Sequence, residues 1–188
     1  GSYLNTIFSA LDQADQVIKA EESAKSGAGQ LVDPGLSAKD PSYLAQARGS
    51  YNIAMSAYEL LKDKTVTEAT VSADSAEIVL ALANTKITID NVISVLDNSV
   101  SNTNLTEAYL SAQKTAFIAT RAGVVGAQQA AEAGLQSLRN QGIINQSDLA
   151  SLDNAVAAAE NRLSQAQVGV QNARQALESA KQGAESQV

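Results

Sequence analysis

Between residues 149 and 180 the chain repeats an apolar residue in steps of three and four without one polar exception. One column is Leu149, Val156, Leu163, Val170 and Leu177; the other is Leu152, Ala159, Ala166, Ala173 and Ala180. Spacing of this kind places both columns on one stripe of an α-helix, the a and d positions of a heptad. A strand cannot present it, because its side chains alternate faces every residue. The stripe therefore commits this sixth of the chain to a helix that packs along its length. Four of its ten positions are alanine, which asks for a close neighbour.

The same 3.5–3.6 period runs through most of the sequence. Apolar positions and end signals predict helices at about 3–26, 41–64, 70–98, 104–140 and 146–182, with an irregular loop over 27–40 containing Pro34-Gly35. Asp40 followed by Pro41 marks a helix start, with Asp40 as N-cap and proline at the first helical position. Asn104 with Glu107 reads as a capping box. Gly142 within "QGIINQS" reads as a turn, after which Asn145 or Ser147 caps the last helix. The β-branched run at 87–95 could form a strand but has no candidate partner strand, so a helix is preferred. The expected fold is all-α: a single domain, an elongated antiparallel bundle of four to five helices with a long Ala-rich, coiled-coil-like hairpin at about 104–182.

A turn centred near residue 143 would set the Leu/Val column opposite Leu138, Ala131, Val124, Phe117 and Leu110, all apolar and seven apart. The alanine column would meet Gly134, Ala127, Thr120 and Gln113, with Arg139 beside Asp148 and Glu107 beside Lys181. In that arrangement the alanines let two helices approach at the short end of the usual separation. Ala112, Ala116, Ala119, Gly123, Gly126 and Ala130 would form a second small-residue face for the remaining helices. The other reading of the stripe is an exposed seam awaiting a partner helix.

Composition narrows the chemistry. The chain of 188 residues has no Cys and no His, which removes disulfides, thiolate zinc sites, iron–sulfur clusters and the commonest metal ligand and general base. A ferritin-like di-iron centre also needs His. The 13 basic residues are scattered in a chain of net charge −7, so no basic stripe exists for nucleic acid or an anionic membrane surface. No phosphate-binding glycine loop or nucleophile pair is present, and the expectation is a non-enzyme with no cofactor and no bound metal. The most apolar run, 78–89, carries Asn84, Thr85 and Lys86 in its middle, so no membrane span is expected.

Tyr43, Tyr51 and Tyr58 recur at helical spacing on the second helix, with Tyr109 on the fourth. With Asn52 they are the candidate ligand or partner surface; the alternative is that the rings close the edge of a bundle. The surface is rich in Gln, Asn, Ser and Thr and poor in Lys, a usage that suggests an exported bacterial protein. The opening Gly-Ser reads as a trimmed start, ahead of which an export signal, a lipid-anchor cysteine or a membrane tether would sit.

The Ala- and Gln-rich stretch at 104–182 resembles the long helical hairpins of flagellins, efflux-channel barrels and periplasmic chemoreceptor sensor bundles. The resemblance rests on no motif and carries no functional residue across. Three functions follow as expectations. The first is a scaffold or protein-interaction module, the soluble part of a periplasmic or extracellular envelope protein or lipoprotein, able to self-associate. The second is a ligand-sensing periplasmic four-helix domain. The third is a hairpin component of a pore-forming or envelope-spanning assembly. The cytoplasm is the alternative location.

Overall fold

The computed structural model describes residues 2–20, 33–67 and 69–185. Among them are four helices and no strand: α1 (Ser2–Ile18), α2 (Ser42–Lys62), α3 (Val71–Asp97) and α4 (Glu107–Glu185). The all-α expectation holds. The chain divides into two compact units, Gly1–Leu138 and Arg139–Val188.

The first unit is a bundle of α1, α2, α3 and the opening part of α4. Its cross-contacts run in opposite senses along each neighbouring pair. Phe8 meets Tyr58 and Ile18 meets Arg48 between α1 and α2. Asp97 meets Lys114 and Asp90 meets Arg121 between α3 and α4. Consecutive helices are thus antiparallel, α2 and α3 included, where Asn91 meets Ser50 and Lys64 meets Glu77. Ile7, Leu11, Ala14 and Ile18 of α1 are buried with Ala47, Tyr51 and Ala54 of α2 and Leu82, Ile89, Val92 and Val95 of α3. Each set has the three-to-four-residue spacing of one helix face. Thr85 and Thr88 join this core without cost in unpaired hydroxyls, because each donates to the carbonyl four residues earlier. Val71–Asp97 is long and apolar enough by length and composition to cross a membrane, with a mean hydropathy of 1.4 in its most apolar window. Of that window 39% is buried inside the bundle, while Leu80 and Ile87 of the same helix are exposed.

α4 supplies the fourth wall. Phe117 and Val124 are fully buried and Ala131 nearly so, with Leu110 packed at the edge of the same core. The small-residue face behaves otherwise than expected: Ala112, Ala116, Ala119, Gly123, Gly126 and Ala130 are all exposed. Bulk, not smallness, decides which face turns inward, since Phe117 and Val124 have more apolar area to remove from water.

The hairpin expected at 104–182 is not formed. α4 is one helix of 79 residues, and Gly142, Asn145 and Ser147 lie inside it. "QGIINQS" contains no proline, and one glycine costs a helix only about 1 kcal/mol relative to alanine. Asn145 caps nothing; its side-chain oxygen accepts from Gln141 Nε2 at 3.0 Å, an i,i+4 pair on the helix surface. The two helices expected at about 104–140 and 146–182 are therefore one, and the described residues hold four helices of the four to five expected. The expected column opposite Leu149–Leu177 is also taken, since Phe117, Val124 and Ala131 already face the first unit's core.

Other boundaries shift by small amounts for local reasons. Asp40 caps α2 as expected, its carboxylate accepting the Ser42 amide at 2.9 Å. The hydroxyl and amide of Ser42 hold that carboxyl below its usual range. The Asn104–Glu107 capping box is replaced by Thr106, whose hydroxyl accepts the Tyr109 amide at 3.2 Å. Asn102 instead receives the amides of Asn104 and Leu105. α1 ends at Ile18, short of the expected Ser26, because Lys19 turns to φ 49° and the Arg48 guanidinium takes the Ile18 carbonyl at 2.8 Å. Residues 21–32, over which the sequence predicts the end of that helix and part of the loop, lie outside the described residues.

The α2–α3 turn closes on a buried charge. Asp74 is buried, and Lys64 Nζ sits 2.7 Å from its carboxylate and 2.7 Å from that of Glu77. Lys64 first, then Thr70, holds the Asp74 carboxyl below its usual range, with burial opposing. A carboxyl depressed on folding stabilises the fold above its unfolded pKa, and that contribution disappears as pH falls through the folded value. Asp74→Asn should therefore lower stability at neutral pH and flatten its decline below about pH 4; thermal melts across pH 2–7 check both. For the helix through the expected turn, Gly142→Ala should stabilise by about 1 kcal/mol, since a Cβ there meets nothing. Carbon chemical shifts should stay helical through 141–147.

Candidate functional site

The second unit, taken by itself, is the helix from Arg139 to Glu185, which at 1.5 Å per residue runs roughly 70 Å. From residue 139 to residue 182 every residue is exposed. The apolar stripe is among them: Leu149 62%, Leu152 60%, Val156 50%, Leu163 60%, Val170 54% and Leu177 71% exposed. Single exposed leucines are ordinary, whereas a contiguous apolar row on one face is not. Assigned as a and d positions, the two columns leave a flanking row at e: Asp153, Glu160, Gln167, Arg174 and Lys181. The other flank, at g, is Asp148, Ala155, Arg162, Gly169 and Ala176, mostly small. The outward positions b, c and f are largely Ser, Gln, Asn, Ala and Glu, with Val168 the exposed exception. A single apolar seam with charged and small flanks has the residue pattern of a coiled-coil helix.

The five residues singled out by sequence do not assemble into a surface. Tyr51 is 2% exposed and belongs to the core between α2 and its neighbours. Tyr58 is half-buried with its ring tilted against Phe8, centroids 5.5 Å apart. Tyr43 packs at the edge of the core, and Asn52 is exposed on the outer side of α2. The spacing that aligned the tyrosines is the spacing of α2's buried stripe, so the bundle-edge alternative describes Tyr43 and Tyr58.

Tyr109 is placed differently. It lines a cleft of about 350 Å³ with Gln16, Val17, Lys19, Asp33, Leu36, Asn104 and Leu105, and none of the other four residues joins it. One wall of this cleft is pinned by backbone. The Val100 amide donates to the Gly35 carbonyl at 2.8 Å, the Lys39 amide donates to the Asn98 carbonyl at 2.9 Å, and Ser99 Oγ accepts the Ser37 amide at 2.9 Å. Asp33 receives the Gly35 amide at 2.8 Å and the Asn102 side-chain amide, and these bonds hold its carboxyl below the usual range. Sequence reasoning could not see this wall, because it joins residues more than sixty apart. The cleft offers a half-buried lysine and aspartate, Lys19 and Asp33. Among the described residues no group of three or more acidic side chains could hold a metal ion.

No protein-family model matches the chain, and neither a curated protein nor a solved structure matches it. The functional reading therefore rests on the residues themselves.

A Cβ on Gly35 would lie 2.4 Å from the Val100 carbonyl oxygen and 2.7 Å from the Asn102 side chain. The first of these is backbone and cannot swing aside. Gly35→Ala should cost about 1–3 kcal/mol, the usual range for forced overpacking, seen as a lower midpoint in urea titration. Gly126→Ala, open to solvent, serves as the control and should be neutral or stabilising.

Proposed function

We propose that this chain is a non-enzymatic helical scaffold whose residues 149–180 present a coiled-coil face to a protein partner. One observation carries the reading: a heptad unbroken from Leu149 to Ala180 whose large members are all half or more exposed. Keeping this many aliphatic side chains in water is unfavourable, by about 25 cal/mol for each Å² left uncovered, and association removes the cost. The bundle of residues 1–138 acts in this reading as the platform that carries the helix. The surface, rich in Gln, Asn, Ser and Thr and poor in Lys, supports a setting in the bacterial envelope, as the soluble part of an exported protein.

The test separates an intermolecular face from one used within the chain. Leu163→Asn with Val170→Asn, measured at concentrations where the chain is monomeric, should leave the main melting transition unchanged and abolish association through the helix. If the stripe instead packs inside its own chain, each truncated side chain should cost about 2–5 kcal/mol and the main transition should fall. Calorimetry and sedimentation on the same samples give both readouts.

A further inference from the structure

We infer that the partner of this face is a second copy of the chain, bound antiparallel about a two-fold axis near Gln167. The inference rests on the interaction reading above and names the occupant. Its ground is the order of charges in the e row: Asp153, Glu160, Gln167, Arg174, Lys181, acidic, acidic, neutral, basic, basic. In an antiparallel pair of coiled helices an e position faces an e position of the other helix, and g faces g. A row that is its own charge complement when reversed is what a two-fold antiparallel pair requires. With Gln167 facing Gln167 of the second copy, Glu160 faces the second copy's Arg174 and Asp153 faces its Lys181, and symmetry repeats both. Sliding the helices by one heptad in either direction leaves half of these pairs.

The core of that register accounts for the alanines independently of the charges. An antiparallel pair sets each a position against a d position. Val156 then meets Ala180 of the second copy, Leu163 meets Ala173, Val170 meets Ala166 and Leu177 meets Ala159. Each layer holds one large and one small side chain, so its volume stays nearly constant along the seam, as close packing demands. The g rows meet at Gly169 against Gly169, with Ala176 against Arg162, and these small residues leave room for a short helix separation.

A parallel pair fails on both counts. It stacks Leu and Val on themselves and alanine on alanine, alternating crowded layers with gaps. It also sets Asp148 of each copy beside Asp153 of the other, a like-charge contact, and gains no opposite-charge pair. The helix macrodipole does not supply another origin for the acidic end, since it acts within the first turn and α4 begins at Glu107, far from Asp153.

Sedimentation of the full chain should show a reversible monomer–dimer equilibrium. Because the chain has no cysteine, Gln167→Cys introduces a single thiol. It should be linked to itself across the dimer by a short bismaleimide, whereas Gln165→Cys, on the outer face, should not. Glu160→Arg turns two symmetric attractions into repulsions and should weaken dimerisation about tenfold at low salt, with helicity by circular dichroism unchanged. Adding Arg174→Glu should restore it. A chain monomeric at every accessible concentration overturns the inference. So does a dimer in which Gln167→Cys refuses the cross-link, or one indifferent to Glu160→Arg. If the chain is monomeric while Leu163→Asn/Val170→Asn leaves the main melt intact, the second copy is excluded and the interaction reading stands. If that melt falls, the interaction reading itself is lost.

Discussion

Phe117 and Val124 decide how the rest of α4 is used. Both are fully buried against the first three helices, with Ala131 a further seven residues on. A helix has one side to offer a given neighbour, and over this stretch that side is spent on completing a four-helix core. The polar contacts agree with it: Thr120 donates to Gln13 of α1, while Lys114 and Arg121 reach Asp97 and Asp90 of α3. Once those positions are committed, the heptad beyond residue 149 has lost the column that would otherwise have matched it.

The two apolar columns of α4 are thus similar in period and different in fate. In the first, Phe117, Val124, Ala131 and Leu135 are buried by their own chain; from Arg139 to Gln182 every residue is exposed. The composition follows that division. The buried column carries an aromatic and β-branched bulk suited to an irregular bundle interior. From Val156 onward the exposed one alternates Leu or Val with Ala, a pattern that suits a regular seam between two like helices. Charges differ in the same way, since those on the buried part pair with α3, while those beside the exposed stripe are graded from acidic to basic.

The tyrosine row illustrates why periodicity alone misplaces a site. Tyr51 recurs with Tyr43 and Tyr58 because all three follow the stripe that α2 turns toward α1 and α3, and the middle one is swallowed by the core. Only Tyr109 reaches a cleft, and it does so through the loop contacts of Asp33, Gly35 and Asn102 rather than through any spacing in the sequence. Similarly, Asp74 reads in sequence as a helix-start acid. Its burial beneath Lys64 depends on how the α2–α3 turn closes.

By itself the sequence determined the helical class, the bounds of α2 and α3 to within a residue or two, the Asp40 cap, and the heptad from Leu149 to Ala180. These follow from local rules: side-chain period, proline position and hydrogen bonds within a few residues. Tertiary structure decided the remainder. Whether Gly142 turns the chain or is absorbed into a helix is a contest between about 1 kcal/mol of propensity and whatever a folded-back pairing would gain. That gain depends on whether Phe117 and Val124 are free. They are not, because α1 and α3, far away in sequence, cover them first.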